Sequence, residues 1–173
     1  MRLLTDESGF TLIEMLVVCT LTVILMGALS MIFSLGLKTG KTSSSILSSQ
    51  SSVVTALDRL DFEGRCASQA TRISSGAGVT LTFPAQCQHA TGTVTWCVTS
   101  GSLVRYSGSS CSGSGLTLVK NITSATPFSC VTSGSLPQLS VVLTVNTGTT
   151  SGTQSSGTDV ITLENATSAG ACT

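Results

Sequence analysis

The sequence predicts an α+β protein: a long N-terminal helix, transmembrane in its first half and amphipathic in its second, packed on an antiparallel β-sheet. Three observations carry that prediction. Met15 to Leu37 contains no charged residue; at about 1.5 Å per helical residue it spans roughly 34 Å, enough to cross the hydrocarbon core of a bilayer. Ile46, Val53, Leu57 and Leu60 then recur at helical spacings in a polar background, the pattern of a helix with one buried stripe. Beyond Ile73 the period becomes two, as in VTLTF at 79–83 and TVTWCV at 93–98, which is how half-buried strands read.

Taken in order, residues 1–9 (MRLLTDESG) are a polar head ending at Gly9, and residues 10–37, Phe10 to Leu37, are an apolar segment broken only by Glu14. Residues 38–75 read as the amphipathic continuation of the same helix. Gly36 and Gly40 weaken the join, and Gly64 is expected to mark fraying near a helix end in the mid-sixties. Asp58, Arg59, Asp61 and Glu63 read as the solvated face of that helix. Residues 76–173 form the sheet domain. In it SLVRY at 102–106 follows a Ser100-Gly101 turn. A two-residue hairpin there sets Thr99 opposite Ser102 and Trp96 opposite Arg105, which lets the guanidinium lie over the indole. Further strands are expected at 116–119, 139–145 and 159–163, with NTGTTSGTQSSGT at 146–158 as a long loop. Trp96 and Tyr106 are expected to face the core. The sheet needs a cover for its apolar face, and the stripe on the helix supplies one.

With 173 residues the chain suffices for one domain and an anchor. Its formal net charge is zero and only 9% of residues are charged. From Lys38 onward seven basic residues stand against five acidic ones, so specific nucleic-acid binding is not expected. Of seven cysteines, Cys19 lies in the apolar run, which leaves Cys66, Cys87, Cys97, Cys111, Cys130 and Cys172 as an even set. Such a set fits three disulfides in an oxidising compartment. Sequence cannot select among the possible pairings; joining chain neighbours gives Cys66 with Cys87, Cys97 with Cys111 and Cys130 with Cys172. A metal site at Cys87 and His89 is the competing reading. It is disfavoured because no C-x-x-C pair occurs and His89 is the only histidine. No nucleophile elbow, Walker loop or H-E-x-x-H helix is present, so neither enzyme activity nor a cofactor is expected. Asn121 and Asn165 head N-x-T triplets, for which no eukaryotic-type glycosylation is expected.

A secretory signal peptide places its cleavage site after its apolar region; here the candidate site comes before it. Gly9 followed by Phe10, Thr11, Leu12, Ile13 and Glu14, within GFTLIEMLVV, resembles the prepilin processing motif of the type IV pilin superfamily. LDRLDFEGRC, TWCVTSGSLVRY, LVKNITSATPF and DVITLENAT more loosely resemble segments of minor pilins and pseudopilins of the J or W type. The resemblance implies a pilin-like fold in which residues 1–9 are a prepilin leader. It implies a cut between Gly9 and Phe10 by a prepilin peptidase and N-methylation of the new terminus at Phe10. It also implies subunit assembly in which Glu14 pairs with the Phe10 amine of a neighbouring subunit.

Physical chemistry makes the role of Glu14 sensible. An ionisable group at the centre of a bilayer costs ~2.5 to 3.5 kcal/mol on insertion scales, so it serves a function or finds a partner. Flanking charges do not set the orientation, because Arg2 is offset by Asp6 and Glu7 while Lys38 and Lys41 follow the span. Processing at Gly9 and oxidised cysteines both require the head inside and the sheet outside. No proline interrupts the span, whereas major pilins often carry one, which favours a minor subunit or a pseudopilin.

The expected function is therefore that of a minor pilin of a type IV pilus. The chain would be a single-pass protein of the bacterial cytoplasmic membrane with an extracytoplasmic C-terminal domain, exposed on the pilus or cell surface after assembly. Its partners would be the peptidase, other pilin subunits and the lipid bilayer through residues 10–37. A pseudopilin of a type II-like secretion system and a membrane-anchored Cys-rich adhesin or ligand-binding module are the alternatives.

Overall fold

The computed structural model describes residues 11–87, 92–133, 136–147, 154–167 and 171–173. Helix α1 runs from Leu12 to Cys66 and is followed by β1 (Gln69–Ile73), a 3-10 turn, β2 (Gly78–Phe83), β3 (Gly92–Thr99), β4 (Ser102–Ser107), β5 (Gly115–Lys120), β6 (Phe128–Ser133), β7 (Leu136–Asn146) and β8 (Gln154–Thr162). The chain divides into two compact units after Ser43. Within the described residues the first is helix alone, and α1 passes through Gly36 and Gly40 without interruption. The second carries the rest of α1 and all eight strands.

The strands form two antiparallel sheets where one was expected, ordered β1-β2-β3-β4-β5 and β6-β7-β8. The last turns of α1 pack against both. Val53, Ala56, Leu57, Leu60, Glu63 and Gly64 are the buried helical positions, an i, i+3, i+4, i+7 stripe that meets Trp96, Phe128, Leu139, Leu143 and Ile161 in one core. Ile46, at the start of the expected stripe, is only half-buried. Each fully buried Leu, Ile or Phe contributes about 1.5 to 3 kcal/mol of transfer free energy, so this stripe is what fastens helix to sheets.

Several local expectations need correction. Gly64 does not mark fraying: a Cβ there would lie 2.5 Å from Ile161 Cγ2, so glycine permits the close approach of helix and β8. The helical continuation does not fill residues 38–75. It stops at Cys66, where the Ala67 amide donates to the Glu63 and Gly64 carbonyls. There Asn165 Nδ2 reaches across to the carbonyls of Arg65 (3.4 Å) and Cys66 (3.0 Å), and the chain turns into β1. Asn165 thus serves as a clasp on orphan helix carbonyls. The expected loop at 146–158 is too long. Residues 154–158 belong to β8, which pairs with Val142–Asn146 of β7, and the small Gly157 lies beneath Val53 and Leu57. The unpredicted β1 and β6 are short strands; Ala70 is the buried residue of β1, and Phe128 is a buried residue of β6.

The Ser100-Gly101 hairpin is present with Thr99 opposite Ser102 and Trp96 opposite Arg105. Both turn residues have positive φ, 49° and 68°, as a type I′ turn requires. The strand leading into it, β3, is buried on both faces from Val94 to Cys97, where half-burial was expected. Its second face is covered by the segment after β4: Thr95 Oγ1 donates to the Gly108 carbonyl at 2.6 Å, and Cys97 is bonded to Cys111. Trp96 lies in the main core, and Tyr106 in a small cluster with Cys97 and Val104.

Three disulfides join the chain neighbours Cys66–Cys87, Cys97–Cys111 and Cys130–Cys172, with Cα separations of 6.0, 5.9 and 5.6 Å. The bond to Cys66 occupies the Cys87 sulfur, so Cys87 is no thiolate ligand; His89 lies outside the described residues.

Candidate functional site

From Leu12 to Leu37 every residue of α1 is exposed. Ile24 and Phe33 retain 67% and 69% of their accessible surface among the described residues. By length and composition the helix can cross a membrane. Inside such a segment a helix satisfies its own backbone, and the Thr20 and Thr22 hydroxyls are satisfied too. Thr20 Oγ1 donates to the Val17 carbonyl at 2.9 Å and Thr22 Oγ1 to the Val18 carbonyl at 2.7 Å, which removes their need for water.

The start of the helix is organised around Thr11 and Glu14. The Thr11 carbonyl accepts from the amides of Glu14 (3.1 Å) and Met15 (3.2 Å), and Thr11 Oγ1 accepts from the Glu14 amide at 3.4 Å. Thr11 therefore acts as the N-cap, and Glu14 is the acidic residue of the first turn, three positions on, in the spacing of a capping box. A carboxylate there is favoured by the helix dipole. Its side chain is exposed, the one charge at the head of an otherwise uncharged surface. Gly9 and Phe10, the other residues singled out by the sequence, lie outside the described residues.

At the far end of α1 the structure assembles a polar centre that the sequence reading assigned to solvent. Glu63 is 6% exposed, contrary to its expected place on the wet face. Its Oε2 accepts from Trp96 Nε1 at 2.9 Å, and its Oε1 accepts from Arg105 Nε at 2.7 Å and from Arg59 Nε at 3.4 Å. The Trp96 and Arg105 side chains expected to stack on one another are joined through this carboxylate. Spacing held the signal, because Glu63 falls three residues after Leu60 on the buried stripe. Asp58 and Arg59 are exposed and Asp61 half-buried, as a solvated flank should be. Nearby, Arg65 pairs with Asp61 at 2.9 Å and with Glu164 at 3.3 Å. The Asp61 hydrogen bond and charge raise the guanidinium pKa above its ordinary value.

Among the described residues no cluster of three His, Cys, Asp or Glu side chains is placed to hold a metal ion. Buried side-chain nitrogens and oxygens among them all have partners.

Residues 4–30 match the family model described as the prokaryotic N-terminal methylation motif. Neither a curated protein nor a solved structure matches the chain.

Proposed function

We propose that this chain, which carries a prepilin-type N-terminal methylation motif at the head of its long helix, is a filament subunit of the type IV pilin superfamily, specifically a minor pilin. In this reading a prepilin peptidase cuts between Gly9 and Phe10, and Phe10 becomes an N-methylated amino terminus. Residues 10–37 then hold the protein in the cytoplasmic membrane with the disulfide-linked sheets outside, until the subunit enters a filament and reaches the cell surface.

The observation that carries the proposal is the conjunction at the N-terminus. The motif match at 4–30 reaches into a helix that is apolar and exposed from Leu12 to Leu37 and whose only charge before Lys38 is Glu14. In a bilayer a boundary carboxylate can reach the headgroups; in a filament core it cannot, and an unpaired charge there is costly. Pairing of Glu14 with the Phe10 amine of a neighbouring subunit removes that cost and fixes the register of the two helices. The sheets supply a stable neutral body rather than a reactive centre, in keeping with a non-enzymatic structural subunit.

Mass spectrometry of the N-terminus, on protein isolated from its native membrane, tests this directly. A chain beginning at methylated Phe10 supports the proposal. Retention of Met1 to Gly9, or a cut after the apolar run near Ala28 or Ser30, overturns it.

A further inference from the structure

Residues 171–173 lie along the outer edge of β1. Cys172 forms a parallel bridge with Ala70, the Arg72 amide donates to the Thr173 carbonyl at 2.7 Å, and the Thr173 amide donates to the Ala70 carbonyl at 3.1 Å. Ala171 is buried. β1 is otherwise an edge strand, so these residues act as a short extra strand that covers its outward-facing backbone groups. Two neutral hydrogen bonds contribute little net free energy toward ordering such a segment. What ties it down is Cys172, bonded to Cys130 on β6, the edge of the other sheet.

We propose that residues 171–173 are a strap that closes the β1 edge to strand addition, that the Cys130–Cys172 bond is its latch, and that the unlatched edge pairs with β1 of a second copy. An exposed strand edge is a template for pairing, and proteins cover or blunt such edges. The other edge of this sheet carries both blunting devices, a register shift where β5 meets Leu103 and Val104 and Lys120. β1 has neither a bulge nor a lysine; it has the strap instead. It is also self-complementary. Antiparallel pairing of two β1 strands about Thr71 sets Ala70 of each copy opposite Arg72 of the other. That register uses the Ala70 carbonyl and the Arg72 amide that the strap now satisfies, and no arginine faces an arginine across it. Thr71 then faces Thr71 in a non-hydrogen-bonded pair, the closer of the two kinds.

The test uses the full chain in detergent micelles with Cys19→Ala as background, comparing the native latch with Cys130→Ser/Cys172→Ser. At a protein-to-detergent ratio that leaves one copy per micelle, where no second copy can cover the edge, amide exchange at Arg72 should accelerate at least tenfold in the unlatched protein, while Trp96 fluorescence stays that of the folded state. With Thr71→Cys added, a short bis-maleimide should cross-link unlatched copies several-fold more than latched ones. Thr117→Cys, on the exposed β5 edge, should show no such gain and controls for association through the apolar helix. Should the double serine variant fail to fold, mild dithiol reduction of the folded native-latch protein, with the same Arg72 readout, takes its place. Unchanged Arg72 exchange at one copy per micelle overturns the latch, and cross-linking at Thr71 no greater than at Thr117 overturns the pairing.

Discussion

Glu63 accepts a hydrogen bond from the indole nitrogen of Trp96 at 2.9 Å, so a charged helix residue and a fully buried aromatic 33 positions away share one polar centre. Removal of the carboxylate strands the Trp96 N–H and leaves Arg105, whose side chain is 16% exposed, as an uncompensated buried charge. Glu63→Ala should destabilise the folded state by about 3 to 5 kcal/mol, the usual cost of breaking one partner of a buried pair. Glu63→Gln, which keeps an acceptor for either donor, should lose less. Denaturant unfolding followed by Trp96, the only tryptophan, measures both; a loss under about 1 kcal/mol for Glu63→Ala would mean that the centre is not coupled to stability.

Two glycines of the same helix should respond in opposite directions. At Gly64 an added Cβ meets Ile161 at 2.5 Å, whereas at Gly40 it meets nothing within 4 Å. Gly64→Ala should cost about 1 to 3 kcal/mol through overpacking. Gly40→Ala should gain about 0.5 to 1 kcal/mol of helix propensity. A double-mutant cycle of Gly64→Ala with Ile161→Ala should be non-additive, since Ile161→Ala removes the atom in conflict. Additive behaviour would refute the close-approach explanation.

The cysteines should divide into one reactive and six protected. Thiol labelling of the denatured, unreduced protein should modify Cys19 alone, with six further sites after reduction. On the chain-entropy model the bond spanning 42 residues, Cys130–Cys172, contributes about 4 kcal/mol, and the bond spanning 14, Cys97–Cys111, about 3 kcal/mol. Serine pairs at each site, compared by unfolding midpoint, should follow that order.

Glu14→Ala should leave membrane insertion and leader removal unchanged and abolish entry into filaments. Fractionation of sheared surface filaments, probed with an antibody to the sheet domain, reads this out. Filament recovery equal to that of the native protein would refute the pairing of Glu14 with Phe10.

Signals with a long repeat were readable directly in the sequence. The uncharged run to Leu37, the stripe through Val53, Leu57 and Leu60, and the Ser100-Gly101 hairpin all appear in the structure where the pattern placed them. What escaped was decided by tertiary partners. Glu63 looks like its neighbours Asp58 and Asp61 until Trp96 and Arg105 close over it. Gly64 looks like a helix breaker until β8 packs on it, and the Ser and Thr residues of 154–158 look like loop until β7 offers them a ladder. Division into two sheets was hidden for the same reason, since β1 and β6 owe their place to pairing with β2 and β7 rather than to any alternation readable in their residues. For the candidate site, the motif was legible because its residues act in a contiguous run, whereas the Glu63 centre gathers α1, β3 and β4.

The bond between Cys66 and Cys87 has a mechanical consequence. It closes a loop 21 residues apart in sequence, and β1 and β2 lie within that loop. Tension delivered down the helix therefore passes from Cys66 straight to Cys87 through sulfur. A pull between the helix and any later part of the chain cannot pay out residues 67–86 as slack. Beyond the helix, the first length the chain can release lies past Cys87.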